Sequence, residues 1–180
     1  MRGCSLCYSA RMTERNRKLP QSTNYLRAAR AGIQMLEQQK PMDDRLLFFV
    51  AGILACLRAV QHSLLNHDRT LSPKHKATID EWKKRTPMDG KEISFIKNSR
   101  DLILKAGAFP GGAGFRLAEF GPDGTMRRVP KRWEAYYVVD GKHRDLIADM
   151  RAAANWCEAQ LSTIEPHVPI INLPGDAVID

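Results

Sequence analysis

The sequence predicts a mainly α-helical domain in which a small antiparallel β-sheet is inserted before the last helix. Apolar side chains recur at helical spacing in five segments, and between the fourth and fifth segments the pattern changes to the alternation typical of strands. The chain has 180 residues, of which 43% are hydrophobic, and this suffices to close one core. We therefore expect a bundle of four or five helices that forms a single domain.

The first predicted helix covers residues 23–39. Ser22 and Thr23 are suitable N-cap residues, apolar side chains follow at helical spacing, and Pro41 would end the helix. Residues 1–22 in front of it carry several basic side chains and are expected to form a flexible arm.

The second predicted helix covers residues 43–66 and is expected to lie at the centre of the bundle. Its apolar run Leu46–Leu57 has twelve residues, fewer than the about 20 that span a membrane. Because this run is apolar nearly all round, it is predicted to be the most buried segment, with Phe48, Phe49 and Ile53 inside. Since the N-terminal region also lacks the apolar stretch of a secretory signal, we expect no membrane association and a cytoplasmic location.

Two further helices are predicted before the strands. Ser72 and Pro73 form a cap followed by a first-turn proline, and they open a short polar helix that contains Trp82 and ends before Pro87. The next helix is expected over residues 89–107, with apolar side chains along one stripe and a glycine at its end.

The inserted sheet is predicted over about residues 113–139. Residues 115–120 and 126–129 alternate on either side of the turn at 121–124, and residues 133–139 would add a third strand.

Helical spacing returns over residues 143–164, which completes a domain over residues 23–165. Residues 166–180 contain two prolines and are expected to be an irregular tail. The glycine-rich residues 111–114 lack the Lys-Ser/Thr of a phosphate-binding loop, so a flexible connector is expected there.

Positive charge is concentrated in two places within a chain of net charge +8. Seven basic side chains against one acidic side chain lie in residues 1–30, and a second basic cluster beside a tryptophan lies in the predicted sheet. Basic groups with a neighbouring aromatic ring suit single-stranded nucleic acid, through phosphate contacts and base stacking. The alternatives are a solvated leader and a charged hairpin that protects an open sheet edge. The residues predicted to bind nucleic acid are Arg15, Arg17, Lys18, Arg127, Arg128, Lys131, Arg132 and Trp133.

The four cysteines do not predict a disulfide framework. Cys4 and Cys7 form half of a possible zinc site, but no second pair supplies the remaining ligands, so neither a metal nor a cofactor is expected. Cys56 and Cys157 fall in apolar helical patterns and are expected in the core.

Residues 95–107, Phe-Ile-Lys-Asn-Ser-Arg-Asp-Leu-Ile-Leu-Lys-Ala-Gly, resemble the Arg-polar-x3-His motif region of the HEPN superfamily. More closely, they resemble the phrase Phe-x4-Arg-Asn-x3-Lys-Glu-Gly of a group of bacterial HEPN-like proteins. In that group, strands, a Tyr-Phe-containing strand and a final helix follow, and Tyr136 and Tyr137 before the helix at 143–164 fit this order. The resemblance covers about residues 23–164 and implies an up-and-down helical bundle. It also implies a homodimer, which the apolarity of the second helix favours independently.

In active members of the superfamily, an arginine and a histidine cleave RNA without a metal. Arg100 matches the arginine and Asp101 matches the polar position, but Lys105 stands where the histidine would be. An unperturbed lysine is a poor general base near neutral pH. Arg100 and Asp101 can alternatively form an ion pair that holds the helices or a dimer together.

The sequence therefore favours a non-catalytic HEPN-like module that binds nucleic acid or a cognate protein partner, in a defence or toxin-antitoxin setting. Two alternatives stay open: a metal-independent endoribonuclease that uses Arg100 with Lys105 or another base, and a structural or oligomerisation domain. His75, His143 and His167 lie in polar segments and are expected at the surface.

Overall fold

The computed structural model describes residues 17–41, 44–86, 90, 92, 94–99, 111–120, 122–139 and 141–171. The helices are α1 (Pro20–Gln39), α2 (Arg45–Asn66), α3 (Pro73–Arg85), a helical segment α4 over residues 94–99, and α5 (Leu146–Ile164). Short 3-10 helices, Asp68–Thr70 and Glu165–His167, follow α2 and α5. Three strands, β1 (Gly111–Phe120), β2 (Met126–Val139) and β3 (Lys142–Asp145), form an antiparallel sheet in the order β1-β2-β3. The predicted mainly helical fold with a small sheet before the last helix is confirmed.

The hydrophobic core lies between α1, α2 and α5, and α3 covers it on one side. Its side chains recur every three or four residues on each helix, because that spacing keeps them on one face. Burying one such aliphatic side chain contributes about 1.5–3 kcal/mol to the stability of the fold. The core residues of the three central helices include Leu26, Ile33, Leu36, Val50, Leu54, Leu57, Met150, Leu161 and Ile164.

Only one face of α2 is buried in the fold. Val50, Ile53 and Leu54 are enclosed, but Phe49 is half-buried and the side chain of Phe48 is 80% exposed. The expectation that Phe48 lies inside is therefore wrong, because α1 and α5 cover one side of a helix that is apolar nearly all round.

One helical stretch among the described residues, Arg45–Thr70, is long and apolar enough to cross a membrane, since its most apolar window of 18 residues has a mean hydropathy of 1.6. Only 39% of this window is buried in the fold. Length and composition of this kind also occur in core helices of soluble proteins. The sequence prediction counted the apolar run only as far as Arg58, and the helix continues with apolar residues beyond it.

Residues 17–22, which the sequence assigns to a flexible arm, belong to the helical domain. Leu19 is fully buried and Pro20 begins α1, so Ser22 lies within the first helical turn and does not cap it. The cap comes instead from Asp68, whose carboxylate accepts hydrogen bonds from the backbone N–H groups of Gln21 at 3.1 Å and Ser22 at 3.0 Å. Asp68 therefore satisfies two of the N–H groups that a helix start leaves without intrahelical partners.

The third helix occupies the predicted residues, but His75 in its first turn is fully buried and not at the surface. The Oγ atom of Ser72 caps α3 and lies 2.8 Å from Nδ1 of His75. On the other side of the ring, Nε2 of His75 is 2.8 Å from the carbonyl oxygen of Lys18. His75 thus joins the start of α3 to the segment before α1, which explains its burial.

The strands differ from the prediction at three points. Residues 111–114 belong to β1 and are not a connector, and β2 is one strand where two were predicted. Residues 142–145 form β3, so α5 begins at Leu146 and not at residue 143. The continuity of β2 through Pro130 is possible because the register shifts there: Arg116 pairs with Arg132, while Ala118 pairs with Arg128. A proline lacks the N–H that a regular ladder position uses, and an irregularity removes that requirement.

Candidate nucleic-acid interface

A two-stranded ribbon extends from the sheet beyond the reach of β3. β3 pairs with residues 136–139 of β2, whereas β2 and β1 continue their pairing to the turn at 122–125. In this turn, Asp123 accepts hydrogen bonds from the hydroxyl of Thr125 at 2.7 Å and from its backbone N–H at 3.1 Å, which lowers the pKa of the Asp123 carboxyl. We name residues 115–133 the basic ribbon.

Four cations of the basic ribbon lie within eight residues of β2, a stretch that contains no acidic residue. Arg127, Arg128, Lys131 and Arg132 are all exposed. Because consecutive residues of a strand point to opposite faces, each adjacent pair places one cation on each face of the ribbon. The ribbon therefore presents positive charge on both sides.

Exposed apolar side chains lie among these cations. The exposed fraction is 38% for Phe115, 59% for Leu117 and 63% for Met126. The ammonium group of Lys131 lies 4.3 Å from the centroid of the Phe115 ring, a cation–π contact. Cations beside exposed apolar groups match a ligand that carries both phosphates and flat apolar surfaces.

Trp133, the aromatic residue predicted to bind, lies at the base of the ribbon. It is half-buried and packs against the hydrophobic core. Its register partner is Phe115, which the sequence analysis did not select as a binding residue and which is the more exposed aromatic ring. The register shows that Phe115 lies directly opposite Trp133 on the same face of the sheet, and this pairing is the signal that sequence reasoning missed.

The base of the ribbon is fixed to α5 by a polar network. The hydroxyl of Tyr137 donates to Asp149 at 2.6 Å, and the guanidinium of Arg144 donates to the same carboxylate at 2.9 Å. Burial and the hydrogen bond to Asp149 raise the pKa of Tyr137. The ring of Phe95 on α4 lies 5.5 Å from that of Tyr137, so α4 also supports the sheet. The base of the ribbon is therefore held by contacts with both α4 and α5.

The remaining predicted binding residues lie elsewhere or outside the described part of the chain. Arg17 and Lys18 precede α1, where their carbonyl groups accept hydrogen bonds from Ile171 and His75. They are on a different element from the ribbon. Arg15 lies outside the described residues.

The motif residues Arg100, Asp101 and Lys105 also lie outside the described residues. Of the helix that leads to them, Ile96 and Ser99 are buried.

No group of three or more histidine, cysteine, aspartate or glutamate side chains that could hold a metal ion occurs in the described part of the chain. Cys4 and Cys7 fall outside it. Cys157 is buried as predicted, and burial raises the pKa of its thiol to about 12, which makes it a poor nucleophile. Cys56 is half-buried and packs against the edge of the core, where it also lines an outer groove of the helical bundle.

No family model, curated protein or solved structure matches this chain. The resemblance to the HEPN superfamily therefore stays a prediction from the sequence.

Proposed function

We propose that this chain is a non-catalytic module that binds single-stranded nucleic acid, RNA included, through the basic ribbon. The observation that carries the proposal is the set of four exposed cations on β2 beside exposed apolar side chains. Phosphate groups would contact Arg127, Arg128, Lys131 and Arg132, and bases would contact the apolar surface around Phe115.

The alternative of a hairpin charged only for solubility explains less of the ribbon. Charges on an open edge prevent pairing with other strands, and both edges of the ribbon beyond β3 are open among the described residues. Solubility alone does not require Phe115, Leu117 and Met126 to be exposed between the charges, whereas a ligand with apolar bases does. The combination therefore favours binding.

The family and setting in this proposal come from the sequence resemblance. We propose a HEPN-like module of the cytoplasm that acts in a defence or toxin-antitoxin system, with a cognate protein partner as a further possibility. A neighbouring gene for an antitoxin or a nucleotidyltransferase would support this setting.

The test is binding of labelled 20-nucleotide RNA, single-stranded DNA and duplex DNA, measured by fluorescence anisotropy at low salt. One variant replaces Arg127, Arg128, Lys131 and Arg132 with glutamine. A matched control replaces four exposed cations of α3 with glutamine, which changes the net charge equally: Lys76, Lys83, Lys84 and Arg85.

We expect the ribbon variant to lose single-strand binding and the α3 control to retain it. Equal losses in both variants would show that binding depends on the total charge of the chain and not on the ribbon. Stronger binding of the duplex than of either single strand would contradict the choice of ligand.

A further inference from the structure

The helices α1 and α2 leave an apolar groove on the side that faces away from the core. The groove has a volume of about 320 Å³, and its lining includes Ala28, Gly32, Phe48, Gly52 and Cys56. A Cβ atom at Gly32 would lie 2.8 Å from Cγ1 of Ile53, so this glycine permits the close approach of the two helices. A Cβ atom at Gly52 would meet nothing within 4 Å, so this glycine faces open space. The groove therefore lies where the two helices approach closely, and it is open above Gly52.

The groove lies within a larger apolar face. Between Arg45 and Arg58, α2 carries no charged residue on any side, and Phe48 is 80% exposed. On α1, Tyr25 is 39% exposed and Met35 is 46% exposed. A continuous apolar face of this kind is unusual for a surface that contacts only water.

The apolar face is about half as large as one side of a standard interface. The uncharged run of α2 has twelve residues and is about 18 Å long, and two helices packed about 10 Å apart present a face roughly 20 Å wide. The resulting area of roughly 360 Å² compares with the about 800 Å² that each partner buries in an interface of standard size, so the dimer interface must also include the charged ends of α2.

The face is also self-complementary. Phe48 projects from α2 one helical turn before Gly52, above which there is open space. Because residues four apart lie on the same side of a helix, each copy carries a projection at Phe48 and a recess at Gly52 on one side of α2. A two-fold axis near residue 50 would place Phe48 of each copy over Gly52 of the other, in an antiparallel crossing of the two α2 helices.

The charges at the ends of the stripe favour the same antiparallel arrangement. Asp44 lies at the start of α2, is exposed, and makes no capping hydrogen bond with its side chain. Arg58 near the other end is exposed and donates to Gln61. An antiparallel crossing about residue 50 brings Arg58 of one copy to within about one helical turn of Asp44 of the other. In a parallel crossing, Asp44 would face Asp44 and Arg58 would face Arg58, so like charges would repel each other. Arg45, beside Asp44, already interacts within its own chain.

We infer that the α1–α2 face is the interface of a homodimer, in which Phe48 of each copy fills the groove of the other. This inference goes beyond nucleic-acid binding and does not depend on it. A dimer would carry two basic ribbons, so one strand of nucleic acid could engage both and bind more tightly than to a single ribbon.

The first test measures the mass in solution by sedimentation from about 1 to 100 μM, a range that covers interfaces of micromolar affinity. We expect a dimer of the 20.3 kDa chain. Gly52→Leu should fill the groove and convert the chain to a monomer while the fold stays intact, because the position is open in the monomer and leucine favours helix more than glycine does. Phe48→Asp should have the same effect, with a dissociation constant raised roughly 30-fold or more. Met126→Asp is the matched control, since Met126 is 63% exposed and lies on β2.

A charge exchange tests the antiparallel arrangement. Arg58→Asp should weaken the dimer, and Asp44→Arg combined with Arg58→Asp should restore it, because the exchange re-forms both ion pairs. Failure of the double change to restore the dimer would overturn the antiparallel crossing.

Three results would overturn the interface itself. One is a wild-type monomer at 100 μM, and another is a dimer unaffected by both Gly52→Leu and Phe48→Asp. The third is a monomer that binds vesicles of anionic phospholipid and loses this binding in Phe48→Asp, which would assign the face to a membrane surface.

Discussion

The proposed role of the basic ribbon predicts how strongly salt should weaken binding. Each phosphate neutralised on a single strand contributes about −0.7 to the slope of log Kobs against log salt concentration. Four ribbon cations therefore predict a slope of about −2.8.

This slope gives a measurable loss of affinity. Raising the salt concentration fourfold, from 50 to 200 mM, should lower the binding constant about 50-fold for four contacts. Each single change to glutamine, such as Arg132→Gln, should make the slope shallower by about 0.7. Arg132→Lys should leave the slope unchanged, since the charge is retained.

The assay is a fluorescence anisotropy titration of a labelled 12-nucleotide RNA at four salt concentrations. A wild-type slope steeper than about −2.8, together with a ribbon variant whose slope is shallower than the wild-type slope by about 2.8, would reveal additional contacts from cations outside the ribbon. A wild-type slope shallower than about −1, or a ribbon variant with the wild-type slope, would refute the assignment of phosphate contacts to the ribbon.

Three further predictions concern stability and catalysis. Asp68→Ala leaves two N–H groups at the start of α1 without their acceptor and should lower the free energy of unfolding by about 2 kcal/mol in urea denaturation, with Asp68→Asn less severe. Tyr137→Phe removes the hydrogen bond to Asp149 and should cost about 1.5–3 kcal/mol at pH 7. Because the pKa of Tyr137 is raised in the fold, its contribution is present below about pH 10 and lost as the pH rises further, so the stability difference between wild type and variant should shrink there. We expect no cleavage of single-stranded RNA by the wild type in EDTA between about pH 6 and 9. Cleavage that Arg100→Ala abolishes would instead establish the ribonuclease alternative.

Most of the helices could be predicted because their signals are local. The Ser72-Pro73 pair marks the start of α3, and the periodicity of apolar residues locates α5 to within a few residues. The strand at 142–145 was missed because its polar residues resemble a helix start, and only pairing with β2 makes them a strand. Tertiary pairing thus decided the structure where the local sequence was ambiguous.

Buried polar groups could not be predicted because their partners are distant in the sequence. Asp68 accepts a hydrogen bond from the N–H group of Gln21, 47 residues earlier, and His75 bonds to a carbonyl group 57 residues away. A polar residue in a polar segment is expected to be exposed unless its partner is known. The exposure of Phe48 has a related cause: periodicity cannot tell which side of an all-round apolar helix will be covered.

The candidate site shows which part of a binding surface the sequence can predict. The cations of the ribbon lie close together in the sequence and can be recognised there as a cluster. Such charges are exposed on either face of a hairpin. The roles of the aromatic residues depend on register, because a shift by one residue exchanges the two faces of a strand. Here Trp133 shares its face with the buried Ala135 and Tyr137, so its ring anchors the ribbon to the core. Phe115 lies opposite Trp133, but its ring is more exposed and lies next to the ammonium group of Lys131. Phe115, and not Trp133, is therefore the aromatic residue expected to stack on a base. The four cations of the ribbon remain the residues expected to contact phosphates.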